Sequence, residues 1–380
     1  MNKLSTLTFK GYKSFYDETK LELGNLNVLI GANQSGKSNV LDLFELLRQA
    51  SERNLQTAIR ERGGIDNVLS WDSEKELSIR LMLDGETDNL KGIDYDVSIV
   101  NEFHKAIVRA ERFEGIDMRS EGKKRYLFSP TETELYLPVI EFGELGLEAN
   151  NRERYSSFKS FFKSITVHCY FDTTQKAPMR DADFIGTQIS GLPATRLSAN
   201  GDNLTSVLYL ISHDPKYRET LEEYEFTLRQ AFPTFRHLTF PPISQGKTIV
   251  SWVDTRTARA ISATFLSDGT LRLMCLLAAL YDPNPPALLC IDEPEVGLHP
   301  DMLRLLAAVI QKASERMQII ISTHSTDLLS FLDAPDKVII CESENGRSKL
   351  VHKTKEELAR WLEVYSLGEL WKSGEIGGRP

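Results

Sequence analysis

Leu26-Asn27-Val28-Leu29-Ile30-Gly31-Ala32-Asn33-Gln34-Ser35-Gly36-Lys37-Ser38-Asn39-Val40-Leu41 decides how the rest of the chain is read. An apolar run of strand length stops at Gly31, and from Lys37 onward Val40, Leu41, Phe44 and Leu47 recur at helical spacing. Strand, glycine loop and helix therefore follow one another directly. Residues 31 to 38 also satisfy G-x-x-x-x-G-K-[ST]. In that pattern the two glycines let backbone N–H groups turn inward, and the helix N-terminus adds its positive end, which makes a cradle for phosphates. Lys37 is placed to reach the β and γ phosphates, and the Ser38 hydroxyl to hold Mg²⁺.

Two further apolar strands end in chemistry. Ala287-Leu288-Leu289-Cys290-Ile291 runs into Asp292-Glu293, and Ile319-Ile320-Ile321 runs into Ser322-Thr323-His324-Ser325. In open α/β sheets the C-terminal ends of strands are where ligands bind. Asp292 is expected in the magnesium shell and Glu293 as the group that polarises water. His324 is expected to hydrogen-bond a γ-phosphate. A phosphate loop, a metal carboxylate and a base are the parts that phosphoryl transfer needs.

Around these motifs the pattern is mixed. Leu4, Leu7 and Phe9, then Leu21 and Leu23, read as short strands, and residues 75 to 170 as strands and turns, among them LSIRLMLDG, DYDVSIV, ELYLPVIEFG and ITVHCYF. Residues 200 to 232 read as helical, with Leu204, Val207, Leu208 and Ile211 on one face. From residue 260 helices alternate with buried strands, which predicts a largely parallel sheet covered by helices.

The chain has 380 residues, room for two domains or one large split one. Its net charge of −9 weighs against a non-specific duplex coat protein, whose affinity comes from neutralising phosphates. Cys169, Cys275, Cys290 and Cys341 lie far apart without a C-x-x-C pair, so neither a disulfide framework nor a zinc site is expected. The opening residues lack the apolar core of a signal peptide, and no run approaches membrane-span length, so a cytoplasmic protein without a membrane part is expected. Neither internal repeats nor heptads of coiled-coil length occur.

Taken in order, these motifs resemble those of ABC-type ATPases of the SMC, RecF and OLD branch. LTFKGYKSF is similar to that branch's first strand, with Lys13 in the place of its phosphate-contacting basic residue. Phe265-Leu266-Ser267-Asp268-Gly269-Thr270 resembles the ABC signature in a variant this branch carries. Asp292 to Pro300, DEPEVGLHP, resembles its Walker B and D-loop, and ISTHS its switch loop. The resemblance implies a P-loop NTPase head with a mixed sheet, an N-terminal antiparallel β subdomain and a helical subdomain. It divides one composite ATPase domain into a first lobe (1–172), a helical insert (173–262) and a second lobe (263–380). It also implies ATP and Mg²⁺ as ligands, with Gly31, Asn33, Ser35, Gly36, Lys37, Ser38 and Asn39 around the nucleotide. Gln175 is the candidate for the family's metal-side glutamine. Gln34 and Asp268 depart from the family by standing where glycines are usual.

The resemblance further implies a homodimer with ATP sandwiched between one copy's phosphate loop and the other's Ser267, Asp268 and Gly269. The signature follows the phosphate loop at a distance of 228 residues (Ser38 to Leu266), and 55 residues follow Ser325. From these lengths no nuclease domain of the OLD kind is expected after the switch loop. The expected role is an ATP-gated switch for a separately encoded effector, a nuclease or toxin, in anti-phage defence. The alternative is a RecF-like, DNA-binding repair clamp, with Lys123, Lys124 and Arg125, or Arg256 and Arg259, as candidate contacts. Arg196 reads as a solvated loop arginine, and Trp361 and Trp371 as residues that pack back on the head.

Overall fold

The computed structural model describes residues 3–52, 54–71, 75–84, 90–117, 123–128, 158, 160–184, 195–244, 246–332 and 337–377. Two six-stranded sheets carry the architecture. The first is antiparallel and runs β2-β1-β4-β5-β6-β7, made of β1 (Lys3–Lys10), β2 (Thr19–Glu22), β4 (Glu76–Asp84), β5 (Leu90–Glu102), β6 (Lys105–Asp117) and β7 (Lys123–Phe128). Along β4, Leu77, Ile79, Leu81 and Leu83 are buried and the residues between them are more exposed, the period-two signature of a sheet with one covered face.

The second sheet is mixed and runs β17-β16-β3-β15-β14-β8. Its strands are β3 (Leu26–Ile30), β8 (Ile165–His168), β14 (Leu288–Asp292), β15 (Gln318–Ser322), β16 (Lys337–Glu344) and β17 (Arg347–Thr354), of which only the edge strand β17 is antiparallel to its neighbour. Every residue of β3 is buried because both faces of this sheet are covered. Val28, Ile30, Leu289, Ile291, Ile319 and Ile321 enter one core together with the helices Leu204–His213, Asp268–Leu280 and Pro300–Ser314. Leu29, Leu288, Cys290 and Ile320 enter the other, shared with the antiparallel sheet and the helix Lys37–Ala50. Gln318 ties the two sheets together: its Oε1 accepts from Leu4 N at 2.8 Å and its Nε2 donates to Leu4 O at 2.8 Å.

The fold class inferred from the motifs is the one observed, and three local expectations change. ITVHCYF is a strand only over Ile165–His168, after which Cys169 and Tyr170 turn to solvent. The insert holds the expected helices Leu204–His213 and Arg218–Ala231, but also strands. These are the pair β9 (Asp183–Phe184) and β11 (Lys247–Thr248), and a three-stranded antiparallel sheet of β10 (Phe235–Thr239), β12 (Ser251–Asp254) and β13 (Ala260–Ser262). None of these strands carries the continuous apolar run that marks β3, β14 and β15. Arg196 is buried, not solvated. Its guanidinium donates to Asp282 at 2.7 Å, to Thr166 Oγ1 at 2.9 Å and to Asn284 O at 2.6 Å.

ELYLPVIEFG lies outside the described residues. All four cysteines are free thiols, with only Cys169 exposed. Trp371 is fully buried on the head, in the helix Leu367–Ser373 opened by a Ser366–Glu369 capping box, whereas Trp361 is about half exposed. Among the described residues, no helix is long and apolar enough to cross a membrane.

Candidate functional site

Three adjacent parallel strands deliver the chemistry to one edge of the mixed sheet. β3 ends in the glycine loop, its neighbour β15 in Ser322-Thr323-His324, and the next strand, β14, in Asp292-Glu293. Together they frame a cleft of about 350 Å³ lined by Ser14, residues 33 to 39, Glu293 and His324.

The loop's shape comes from its glycines. Gly31 has φ +149°, and a Cβ there would lie 2.2 Å from the carbonyl oxygen of Cys341 on β16. Gly36 has φ +109° and opens the helix Lys37–Ala50. Gln34 sits at φ 62°, so the backbone adopts a left-handed turn with a side chain present where the family has glycine. Lys37 folds over the loop, donating to Gly31 O at 2.8 Å and Ala32 O at 2.9 Å, and its burial lowers its pKa. The Ser35 hydroxyl is buried without a hydrogen-bond partner among protein atoms. Asn39 donates to Ser14 Oγ at 2.8 Å, which fixes the wall that Ser14 contributes.

The acids are held from β15. Ser322 Oγ donates to Asp292 Oδ1, and Glu293 N lies 3.1 Å from both Ser322 O and Ser322 Oγ. Glu293 adopts φ 46°, a costly region for a residue with a Cβ, so its carboxylate is held by an over-determined backbone. His324 Nε2 lies 3.4 Å from Glu293 Oε1. Glu295, which the motifs did not single out, accepts hydrogen bonds from Thr323 Oγ1, His324 N and Ser325 N. Arg272, on the helix Asp268–Leu280, donates to Glu293 O at 3.1 Å, and burial lowers its pKa. The sequence signal for Glu295 is only a third acid, Asp-Glu-Pro-Glu, in a turn after a buried strand.

The donors suit ATP with Mg²⁺. Ser38 Oγ and the Asp292 carboxylate are hard oxygen ligands, and the Ser35 hydroxyl of the same loop is buried without a protein partner. Among the described residues no three His, Cys, Asp or Glu side chains form a cage. A divalent ion here would complete its shell with phosphate oxygens and water, the usual habit of magnesium.

Other sequence candidates fall elsewhere. Lys13 does not reach the cleft, because its ammonium is bound by Asp42, which also accepts from Tyr12 at 2.7 Å and Arg62 at 2.9 Å. Burial pushes the Asp42 carboxyl up, but these three donors outweigh it and hold its pKa below the ordinary value. Gln175 does not line the cleft either. Asp172 holds Thr174 in a turn that leaves Gln175 exposed. Ser267 caps its helix by accepting from Thr270 N at 3.2 Å, Asp268 pairs with Arg180, and Gly269 lies against Gly297 O; none of the three borders the cleft. Lys123, Lys124 and Arg125 lie on β7, Arg256 pairs with Asp254 at 3.1 Å, and Arg259 is exposed.

A family model described as "AAA domain, putative AbiEii toxin, Type IV TA system" matches residues 26–330. The chromosome partition protein Smc of Desulfitobacterium hafniense (strain Y51) is 49% identical over 55 residues, which are 14% of this chain and 5% of that protein. The Old nuclease of Escherichia phage P2 is 38% identical over 74 residues, 19% of this chain and 13% of the nuclease. Both matches thus span a small part of the relative. Among solved structures, the Smc head domain with an extended coiled coil, bound to the C-terminal domain of ScpA derived from Pyrococcus furiosus, superposes with a TM-score of 0.56 at 14% identity, covering 96% of this chain and 99% of that one. An SMC head bound to the C-winged helix domain of ScpA gives 0.55 at 14% identity, over 93% and 99% of the two chains. At such identity the likeness establishes the fold. With the family match over residues 26–330, the chain belongs to the AAA_21 family, and its fold is that of SMC head domains.

Proposed function

We propose that the protein binds ATP with Mg²⁺, hydrolyses it, and uses the cycle to open and close a homodimer. The observation that carries this reading is the convergence of Lys37, Ser38, Asp292, Glu293 and His324 at the ends of three adjacent parallel strands. Mg²⁺, when bound, neutralises charge on the phosphate oxygens. Lys37 exchanges its two loop carbonyls for phosphate oxygens, and the backbone amides of residues 33 to 38 cradle the rest. Glu293 orients the attacking water, and His324, 3.4 Å from it, contacts the terminal phosphate. Ser267 and Gly269 lie outside their own cleft, which supports their acting on a second copy's nucleotide. ATP then favours the closed pair by its differential affinity for the two states.

The role we infer is a nucleotide-gated switch for a separately encoded effector, a nuclease or toxin, in anti-phage defence. The family's toxin description and the resemblance to Old nuclease support it, as a warrant of analogy. A RecF-like DNA clamp in repair is the competing role, and the pairing of Arg256 with Asp254 weakens one of its two candidate contact groups.

Size-exclusion with ATP and magnesium tests the core of this reading. Glu293→Gln is expected to retain nucleotide and elute as a dimer, and Lys37→Ala to do neither. A Glu293→Gln monomer overturns the sandwich, and a wild type that releases no phosphate overturns the ATPase. Salt-sensitive, ATP-dependent retention of duplex DNA would move the role from effector switch to clamp.

A further inference from the structure

We propose that Glu295 is the positioning residue of the switch histidine: one carboxylate oxygen gathers the backbone of the switch loop and so sets where His324 stands. This deepens the ATPase reading above and rests on it. Oε1 of Glu295 accepts from Thr323 Oγ1 at 2.7 Å, from His324 N at 2.8 Å and from Ser325 N at 3.1 Å. Three consecutive residues of the loop after β15 are thereby bound to one atom of the turn after β14. Hydrogen bonds to a carboxylate are the strong kind, and one of these satisfies the His324 amide just past the strand end.

The same loop is fixed again from within. Ser325 N lies 2.9 Å from Thr323 Oγ1, and Ser325 Oγ accepts from Leu328 N at 3.0 Å to cap the helix Thr326–Phe331. On the other side, Arg272 holds the Glu293 carbonyl and lies close enough to Glu295 for their charges to attract. The other oxygen of Glu295, Oε2, is buried without a hydrogen-bond partner among protein atoms, so this acid is not placed for solvation. Its position serves the loop. The consequence is geometric: the 3.4 Å between His324 Nε2 and Glu293 Oε1 is set by a residue that holds the His324 backbone and does not line the cleft.

Glu295→Ala releases the loop, and Glu295→Gln keeps an accepting oxygen in the same place. Steady-state ATPase assays of wild type, His324→Ala, Glu295→Ala and Glu295→Gln separate the roles. The expected result is a kcat lowered roughly ten- to a hundredfold in Glu295→Ala with KM within about twofold of wild type, and recovery of most of that loss in Glu295→Gln. Amide hydrogen exchange on the same proteins should show the His324 and Ser325 amides at least about tenfold less protected in Glu295→Ala, with β15 unchanged. A Glu295→Ala enzyme as fast as wild type, in an assay where His324→Ala is impaired, overturns this proposal and leaves the ATPase reading intact. If wild type itself shows no turnover, that reading fails and the exchange measurement alone decides: unchanged protection at residues 324 and 325 rejects the positioning role.

Discussion

Arg180, buried behind the signature, donates to Asp268, the residue that stands where the family has a glycine. The same guanidinium also holds Thr173 O at 2.9 Å, Leu266 O at 2.8 Å and Ala263 O at 3.2 Å. One side chain thus satisfies the backbone leading into the signature and offsets the charge that the departure from glycine introduces. Asp268 remains compatible with the motif because its countercharge was already needed by the backbone.

Arg180→Ala leaves those carbonyls without a donor in the interior. Removing one member of a buried, charged network costs about 3–5 kcal/mol, so urea unfolding should show a loss of that order. Asp268→Asn, at an exposed side chain, should cost less than about 1 kcal/mol. Equal losses for the two variants would contradict this division.

Arg196 and Asp282 are both buried and form an ion pair, with Thr195 also donating to Asp282 at 2.7 Å. Burial raises the Asp282 pKa, with Arg196 opposing. Asp282→Ala strands a buried cation and is expected to destabilise by about 3–5 kcal/mol, whereas replacing both with apolar residues of similar volume should cost much less. A double-mutant cycle in denaturant measures the difference.

His168 gives the chain an acid limit. Burial drives its pKa from the ordinary 6.5 to about 4, while Nδ1–H donates to Ala199 O at 3.0 Å. The folded protein binds fewer protons than the unfolded chain between those values. This contribution is therefore complete above pH 6.5 and lost as pH falls towards 4, a change of about 3 kcal/mol. Stability curves of wild type and His168→Gln between pH 7 and about 4 should converge as pH falls. Parallel curves would show that another group sets the limit.

Gly31→Ala places a methyl carbon 2.2 Å from the Cys341 carbonyl, so β16 must shift and the loop with it. Thermal unfolding should register at least about 2 kcal/mol, and nucleotide affinity should fall with it. Gly64→Ala is the control, since its φ of +98° is also unfavourable but its Cβ meets nothing within 4 Å. Its cost should be about 1 kcal/mol, the backbone share alone.

The features legible in the chain are those whose determinant is local. The glycine loop, the strand that feeds it and the two strands that end in acids or histidine each announce themselves within a dozen residues, and their order along the chain implies the sheet. What the chain does not show locally is where two distant segments converge. Arg196 looked like a solvated loop residue because its partner is 86 positions away. Nothing in the motif marks Glu295, because the amides it serves belong to the loop after a different strand. For Lys13 the motif says nothing of Asp42, which binds its ammonium from a partly exposed position 29 residues along the chain.

The mixed sheet is a partition, with Leu29 facing one interior and Val28 and Ile30 facing the other. Deleting one residue ahead of Gly31 would exchange the occupants of both compartments and swing the loop half a turn away from the acids. This stretch should therefore tolerate a change of apolar size far better than any change of length, which makes its residue spacing, more than its residue identity, the heritable part of the cradle.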